Sequence, residues 1–176
     1  MKLGIAAVAM IACGSFAAAQ HQHGQHKQHD HAPYAGLQQR AVKALSDQQL
    51  SDLRAGRGMG LALAAELNGY PGPLHVLELA EQLELSAELR QRMRELFEAM
   101  KAEAVPMGET LIAHESALDR AFAERSISAE TLAALTARIG ETQGRLRAIH
   151  LKYHLITADL LSPHQRHRYA ALRGYR

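Results

Sequence analysis

The chain has 176 residues, no Trp, and aromatic side chains at only 5% of its positions. Together with abundant Leu and Ala, this composition favours helices, argues against a β-sandwich and suits one domain with appendages. The formal net charge is +2 with the eleven His counted as neutral, which argues against wholesale nucleic-acid binding.

Residues 1–19 are predicted to be a secretory signal peptide. Lys2 supplies its positive charge, residues 3–12 are a short apolar run, and residues 17–19 are the small residues of a cleavage site. We expect cleavage after Ala19, export to a bacterial periplasm, and no transmembrane segment afterwards, because the apolar run is too short to span a bilayer. A lipoprotein signal at Cys13, the one Cys of the chain, is the alternative to ordinary cleavage.

Residues 20–36 form a His-rich segment with almost no apolar side chains. A segment of this composition cannot bury a core and is expected to be disordered. Imidazole is a suitable ligand for Zn, Cu and Ni, so the segment is a candidate site for loose divalent metal binding; the alternative is a solubilising tail. Its five imidazoles belong to His21, His23, His26, His29 and His31.

Residues 37–73 are predicted to contain two or three short helices. Ser46 and Gln49 have the spacing of a helix capping box, and the glycines of residues 56–60 then interrupt the helix. These glycines follow no strand, so they are interpreted as a flexible joint instead of a phosphate loop. Residues 68–73 predict a turn, after which residues 74–83 return to helix.

Two long helices are expected to form an antiparallel hairpin. The first begins at Ser86 and reaches about Glu124; the second is capped by Ser128 and ends before Ser162-Pro163. Apolar positions of the second helix alternate in steps of three and four, and only Thr142 interrupts them. They are Leu132, Leu135, Ile139, Leu146, Ile149, Tyr153, Ile156 and Leu160.

The first long helix carries Met93, Met100 and Met107 at seven-residue spacing, which favours packing in the seam over a copper site or an adaptable client surface. If the turn centres on residues 126–127, residue i faces roughly residue 253 minus i. His114 interrupts this seam, and such a polar residue is expected to fix the register or to join a dimer contact.

Four residues that disturb helices fall at one level of the predicted hairpin. They are Pro106, Gly108, Gly140 and Gly144. Proline deletes a helical hydrogen bond, and each glycine costs about 1 kcal/mol relative to Ala. Their coincidence predicts either a bend or a place where another backbone approaches closely.

A short motif follows the hairpin. Ser162 is an N-cap, Pro163 occupies the first helical position, and Gln165 completes a capping box. The run from Leu161 to Gln165 resembles the L-T/S-x-x-Q motif of the Spy/CpxP family of periplasmic helical proteins. The run from Leu85 to Leu89, which includes Ser86, stands where the family has its first copy of the motif, with Leu89 in place of Gln.

The resemblance covers the predicted helical domain, residues 74–174. It implies a hooked four-helix arrangement, shaped as a shallow cradle and assembled as a homodimer. The family includes stress chaperones and, more distantly, heavy-metal resistance and sensor proteins. The expected fold is therefore all-α, a long antiparallel helical hairpin with short flanking helices.

A metal site is also expected on the second long helix. His150 and His154 are four residues apart and so share one helical face, and Glu103 is opposite His150 in the predicted register. Two imidazoles and a carboxylate suit Zn or Ni; the alternative is a solvated pair of histidines.

The expected function is that of a periplasmic, ATP-independent chaperone or envelope-stress adaptor of Spy/CpxP type with metal-binding capacity. Its partners would be unfolded or partly folded envelope proteins and a second copy of the chain. The alternatives are a heavy-metal (Zn, Cu or Ni) binding, resistance or sensor protein, and a purely structural coiled-coil module. No obligatory cofactor and no enzymatic activity are expected, because the sequence shows neither a catalytic constellation nor a Gly-rich loop after a strand.

Overall fold

The computed structural model describes residues 32–175, and all its helices lie in the unit that begins at Tyr34. The described part is all-helical and confirms the expected fold class. After a 3-10 turn at Leu37–Gln39, its α-helices are α1 (Asp47–Arg54), α2 (Leu63–Glu66), α3 (Pro73–Glu78), α4 (Ala87–Ala123), α5 (Ala129–Leu160) and α6 (Pro163–Leu172). Among the described helices, none combines the length and the apolar character that a membrane crossing requires.

Helices α4 and α5 form the predicted hairpin, with 37 and 32 residues respectively. The side chains of Ser86 and Ser128 cap the two helices by accepting hydrogen bonds from backbone N–H groups in the first turn. The connection between the helices includes Arg125, whose φ of 55° gives the chain the sharp reversal it needs.

The predicted register is wrong by about one helical turn. Glu103 pairs with Tyr153 and His114 with Thr142, three residues later along α5 than a turn centred on residues 126–127 predicts. Side chains lean toward the N-terminus of their own helix. In an antiparallel pair, a side chain of α4 therefore meets a residue of α5 that lies farther from the turn, which explains the direction of the displacement.

The core has two apolar clusters along the hairpin. One joins α3, the first half of α4, the second half of α5 and α6, and contains the fully buried Met93. The other joins α1 to the middle of α4 and α5 around Leu53 and Leu146. The predicted seam packing of Met93 and Met100 is confirmed, but Leu132, near the hairpin tip, is exposed.

Gly108 is the place where another backbone approaches α4. A Cβ at this position would lie 2.6 Å from the carbonyl oxygen of Leu53, at the end of α1. The same atom at Gly140 or Gly144 would meet nothing within 4 Å. Of the two predicted alternatives, the close approach of another backbone is found at Gly108. A bend at Pro106, Gly140 and Gly144 stays a prediction.

The two runs that begin at Leu85 and Leu161 meet in the fold. Leu85 and Leu161, the first residues of the motifs, are buried in the same apolar cluster. Ser162 and Gln165 form the predicted capping box of α6, and Gln165 Nε2 also donates to the carbonyl of Leu83, 3.3 Å away. The motif therefore starts α6 and ties it to the beginning of α4.

The predicted helix over residues 74–83 is shorter than expected. Helix α3 ends at Glu78, and turns carry the chain to Glu84, which has a φ of 51°. These turns let Leu83 and Leu85 both reach the first apolar cluster, and their burial outweighs the helical preference of the segment.

Candidate functional site

A cavity of about 330 Å³ lies between the hairpin and the segment of residues 55–75, which we call the cover segment. The cover segment supplies the glycine-rich joint, the two ends of α2 (Leu63 and Glu66) and the start of α3. The hairpin supplies Phe97 and Met100 from α4, and His150 and His154 from α5. Apolar groups dominate the walls. The titratable side chains of the walls belong to Arg57, Glu66, His75, His150 and His154.

The glycine-rich joint forms one wall because α1 ends before it. Ala55 closes α1, and Gly56 has a φ of 65°, which turns the chain away from the helix axis. Gly58 then passes over the hairpin, where a Cβ would lie 3.6 Å from Nδ1 of His150. The predicted joint is thus a piece of the cavity wall, packed on a buried imidazole.

The cavity has a partly exposed apolar rim. Met59, Leu63 and Leu74 line the cavity, and their exposed fractions are 41%, 54% and 40%. We call these three residues the apolar rim. All three belong to the cover segment and line the same cavity, which distinguishes them from apolar side chains scattered singly over the surface.

His150 and His154 are both buried under the cover segment, although the sequence left open whether they are solvated. His154 Nδ1 lies 2.7 Å from the carbonyl oxygen of Tyr70, so Nδ1 carries the proton and donates. The other ring nitrogen of His154 packs on Gly72, where a Cβ would lie only 2.7 Å from it. Glycine at position 72 therefore makes room for the imidazole.

His150 differs from His154 in its hydrogen bonding. Its Nε2 is buried and has no hydrogen-bond partner. A buried polar atom without a partner costs free energy, so the burial of this nitrogen opposes folding.

The pKa of both imidazoles lies below the ordinary value for histidine. For His150 the main cause is burial, which disfavours the charged form, and the nearby His154 adds to it. For His154 burial is again the largest cause, opposed by the hydrogen bond to Tyr70 and by the charge of Glu66. Both rings are therefore neutral at pH 7.

Glu66 is the one buried carboxylate among the described residues. It accepts hydrogen bonds from the hydroxyls of Tyr169 and Tyr175, and from the backbone N–H of Gly72 at 3.2 Å. Burial alone raises the pKa of Glu66, but His75, Tyr169 and Gly72 outweigh burial and lower this pKa to about 2. The carboxylate is thus ionised, and it ties the cover segment to the C-terminal residues.

The predicted partner of the two histidines is elsewhere. Glu103 bonds Lys152 Nζ at 2.6 Å and the hydroxyl of Tyr153 at 2.7 Å, in an exposed position on α4. The shift in register explains this, because Glu103 faces the helical surface of α5 that carries Lys152 and Tyr153. Among residues 32–175, no group of three or more His, Cys, Asp or Glu side chains has a geometry that could hold a metal ion.

The five histidines of the N-terminal segment, His21 to His31, lie outside the described residues. Sequence reasoning missed the part that Glu66 and Tyr169 play. Neither Glu66 nor Tyr169 belongs to a motif, and they are 103 positions apart in the chain. The one available signal was a single charge in the otherwise apolar stretch of residues 61–67.

Comparisons with protein-family models, with curated proteins and with solved structures found no match to this chain.

Proposed function

We propose that this protein is a periplasmic, ATP-independent chaperone or envelope-stress adaptor that shields apolar surface of unfolded or partly folded envelope proteins. The observation that carries the proposal is the apolar rim around the cavity. Contiguous exposed apolar groups rimmed by polar residues are typical of protein interaction sites. The signal-like residues 1–19 and the resemblance of the two motifs to the Spy/CpxP family support the periplasmic setting.

The client-binding surface in this proposal is not the face of the two long helices. The middle of the hairpin is covered by α1, which packs on α4 around Gly108. The exposed apolar groups nearest the cavity belong to the cover segment itself. Client contact therefore starts at the cover segment and not at the seam of α4 and α5.

The test is suppression of aggregation of a chemically unfolded client without ATP. The rim variant Leu63→Asp has a matched control in Leu155→Asp, because both leucines are 54% exposed but only Leu63 borders the cavity. We expect the wild type and Leu155→Asp to suppress aggregation equally, and Leu63→Asp to lose much of the effect. A wild type without activity, or two variants with equal losses, would contradict the proposal.

A homodimer belongs to the same proposal. Phe122 and Leu132 are exposed near the tip of the hairpin, although Leu132 is one of the predicted seam residues. A second copy is a natural cover for seam residues that the monomer leaves in water. Sedimentation analysis of the wild type and of Leu132→Glu would show the dimer and its loss, whereas a monomeric wild type would reject it.

Metal binding is the second candidate function, as a heavy-metal buffer, resistance or sensor protein. The observation that favours it is the pair His150 and His154, which line one cavity together with the thioether side chains of Met59 and Met100. Imidazole and thioether ligands suit Cu, and imidazole suits Zn and Ni. Calorimetric titration with each metal distinguishes a site in the cavity from one in the N-terminal segment. The proteins to titrate are the full chain, a variant lacking residues 20–31, and His150→Leu.

A further inference from the structure

We propose that residues 62–71, the middle of the cover segment, are a lid that Tyr169 and Tyr175 hold closed by bonding Glu66. We call the contacts of these three residues the latch. Release of the latch would open the cavity and expose apolar surface of the hairpin beneath it. This inference rests on the proposed chaperone function, because the newly exposed surface would bind unfolded client chains.

The lid is weakly anchored by apolar packing. Among the described residues, neither apolar cluster of the hairpin includes a side chain from residues 62–71. The buried apolar side chains of the lid are small, those of Ala62, Ala65 and Pro71, whereas both of its leucines are more than half exposed. A segment with few buried apolar contacts opens at a lower free energy than the core does.

The lid is built to move as one piece between two glycines. Gly60, with a φ of 80°, precedes it, and Gly72 follows it at the start of α3. Glycine leaves the backbone the most rotational freedom, so these two positions are suitable hinges. Within the lid, the N–H of Tyr70 donates to the carbonyl of Ala65 at 3.0 Å, which ties the turn to α2.

Glu66 is the buried polar anchor of the lid. Its carboxylate accepts hydrogen bonds from the hydroxyls of Tyr169 and Tyr175, the second at 3.2 Å. Arg173 Nε lies 3.9 Å from the same carboxylate. Hydrogen bonds to a charged group are stronger than those between neutral groups, so the latch stabilises the closed lid where apolar packing contributes little.

The end of the chain folds back to complete the latch. Helix α6 ends at Leu172, and Gly174 has a φ of 73° that reverses the chain. The N–H of Tyr175 then donates to the carbonyl of Ala170 at 2.9 Å, and its ring meets the edge of Tyr169 with centroids 6.5 Å apart. Since Tyr175 is the last described residue, this half of the latch can be altered without changing the hairpin.

The closed lid covers apolar surface of α4. Phe97 and Met100 line the cavity together with lid residues, and Met100 is only 7% exposed while the lid is closed. Opening would therefore add aromatic and thioether surface to the apolar rim. Such surface adapts to client side chains of varied shape.

One hydrogen bond reports directly on the lid. His154 Nδ1 of α5 donates to the carbonyl of Tyr70 in the lid at 2.7 Å, so its proton is protected from water while the lid is closed. His114 is the internal control. Its Nδ1 lies 3.1 Å from Thr142 Oγ1 within the hairpin and should not respond to the lid.

The experiment measures, by NMR on the full chain, the rate at which these two imidazole protons exchange with water. The latch variants are Tyr169→Phe and Tyr175→Phe, which each remove one hydroxyl and keep the ring. Tyr153→Phe is the matched control, because Tyr153 also donates to a glutamate, Glu103, at 2.7 Å but outside the lid.

We expect exchange at His154 to rise roughly 10- to 100-fold in Tyr169→Phe, because the exchange rate follows the open population and the variant loses a hydrogen bond to a charged group. The rise should be smaller in Tyr175→Phe, whose bond is longer. Exchange at His114 should stay unchanged in both, and Tyr153→Phe should behave as the wild type. Circular dichroism checks helicity, and Tyr175→Phe keeps the test valid if Tyr169→Phe unfolds.

The aggregation assay then tests what opening does. Both latch variants should suppress client aggregation at lower protein concentration than the wild type and Tyr153→Phe. The proposal is overturned if His154 exchanges no faster in the latch variants than in Tyr153→Phe. It is also overturned if exchange rises while suppression does not improve on that of an active wild type.

Failure of the latch is distinguishable from failure of the proposed function, because the imidazole protons report on the lid without a client. A wild type that suppresses no aggregation rejects the chaperone and the role of the lid in client binding. The exchange rates still decide whether the latch holds the lid closed.

Discussion

His114 on α4 and Thr142 on α5 form a polar contact inside the apolar seam, with 3.1 Å between His114 Nδ1 and Thr142 Oγ1. Thr142 also donates its hydroxyl proton to the carbonyl of Arg138, 2.8 Å away. The threonine oxygen must therefore accept from His114, which places a proton on Nδ1. The two residues that interrupt the predicted seams are thus each other's partners, and they specify the register of the hairpin.

Replacing Thr142 by Val tests this contact. The variant leaves the donor of a partly buried His114 without its partner, so we expect a loss of about 1–3 kcal/mol in the free energy of unfolding. The double variant His114→Leu/Thr142→Val should recover most of the loss, because no polar atom is then left unpaired. Chemical denaturation of the four proteins gives the coupling energy; strictly additive losses would show that the residues act independently.

The three helical glycines should respond to alanine in opposite directions. Gly108→Ala places a methyl group 2.6 Å from the backbone of Leu53, and we expect a loss of about 1–3 kcal/mol from the forced separation of α1 and α4. Gly140→Ala and Gly144→Ala meet nothing and should each stabilise by up to about 1 kcal/mol. Thermal and denaturant unfolding measure all three, and a neutral Gly108→Ala would contradict the close packing.

The bend is tested by combining Pro106→Ala with the two open glycines. The triple variant Pro106→Ala/Gly140→Ala/Gly144→Ala should straighten the hairpin and raise its melting temperature. If curvature serves client binding, suppression of aggregation should fall although stability rises. Unchanged activity in a straighter, more stable protein would dissociate curvature from function.

The buried histidines should make stability fall in mild acid. Their pKa values in the folded chain lie below the ordinary value, so the unfolded chain binds protons first as the pH drops below about 6.5. Each histidine then removes at most about 1.4 kcal/mol per pH unit until its folded pKa is reached. Unfolding free energies between pH 7.5 and 5 should decline in the wild type and decline less in His150→Leu; parallel curves would contradict the assignment.

Protonation of Glu66 should cause a second loss of stability at lower pH. Its pKa is about 2 in the folded chain against an ordinary value of 4.5, so its stabilising effect is complete above pH 4.5 and disappears between pH 4.5 and 2. The effect is on the order of 3 kcal/mol. Glu66→Gln should lower stability at pH 7 by about 1.5–3 kcal/mol and lose this acidic transition. Tyr169→Phe, which keeps the carboxylate, should retain a smaller transition.

The sequence by itself determined the two long helices and α6, because the signals that set them are local. Ser86, Ser128 and Ser162 cap their helices as predicted, since a cap needs only its own side chain and the first helical turn. The seven-residue spacing of Met93 and Met100 likewise predicted their burial, because a helix brings such positions to one face. The all-α hairpin followed from these signals alone.

Only the tertiary structure decided what the hairpin packs against and where its polar groups meet. The register depends on the direction in which side chains lean across two helices, so Glu103 meets Tyr153 and not His150. The cavity depends on the cover segment folding back over α5, which no local pattern specifies. Glu66 meets Tyr169 across 103 positions of the chain. Contacts of that range are fixed by the packing of the whole core, and that packing buries a carboxylate and leaves His150 without a partner.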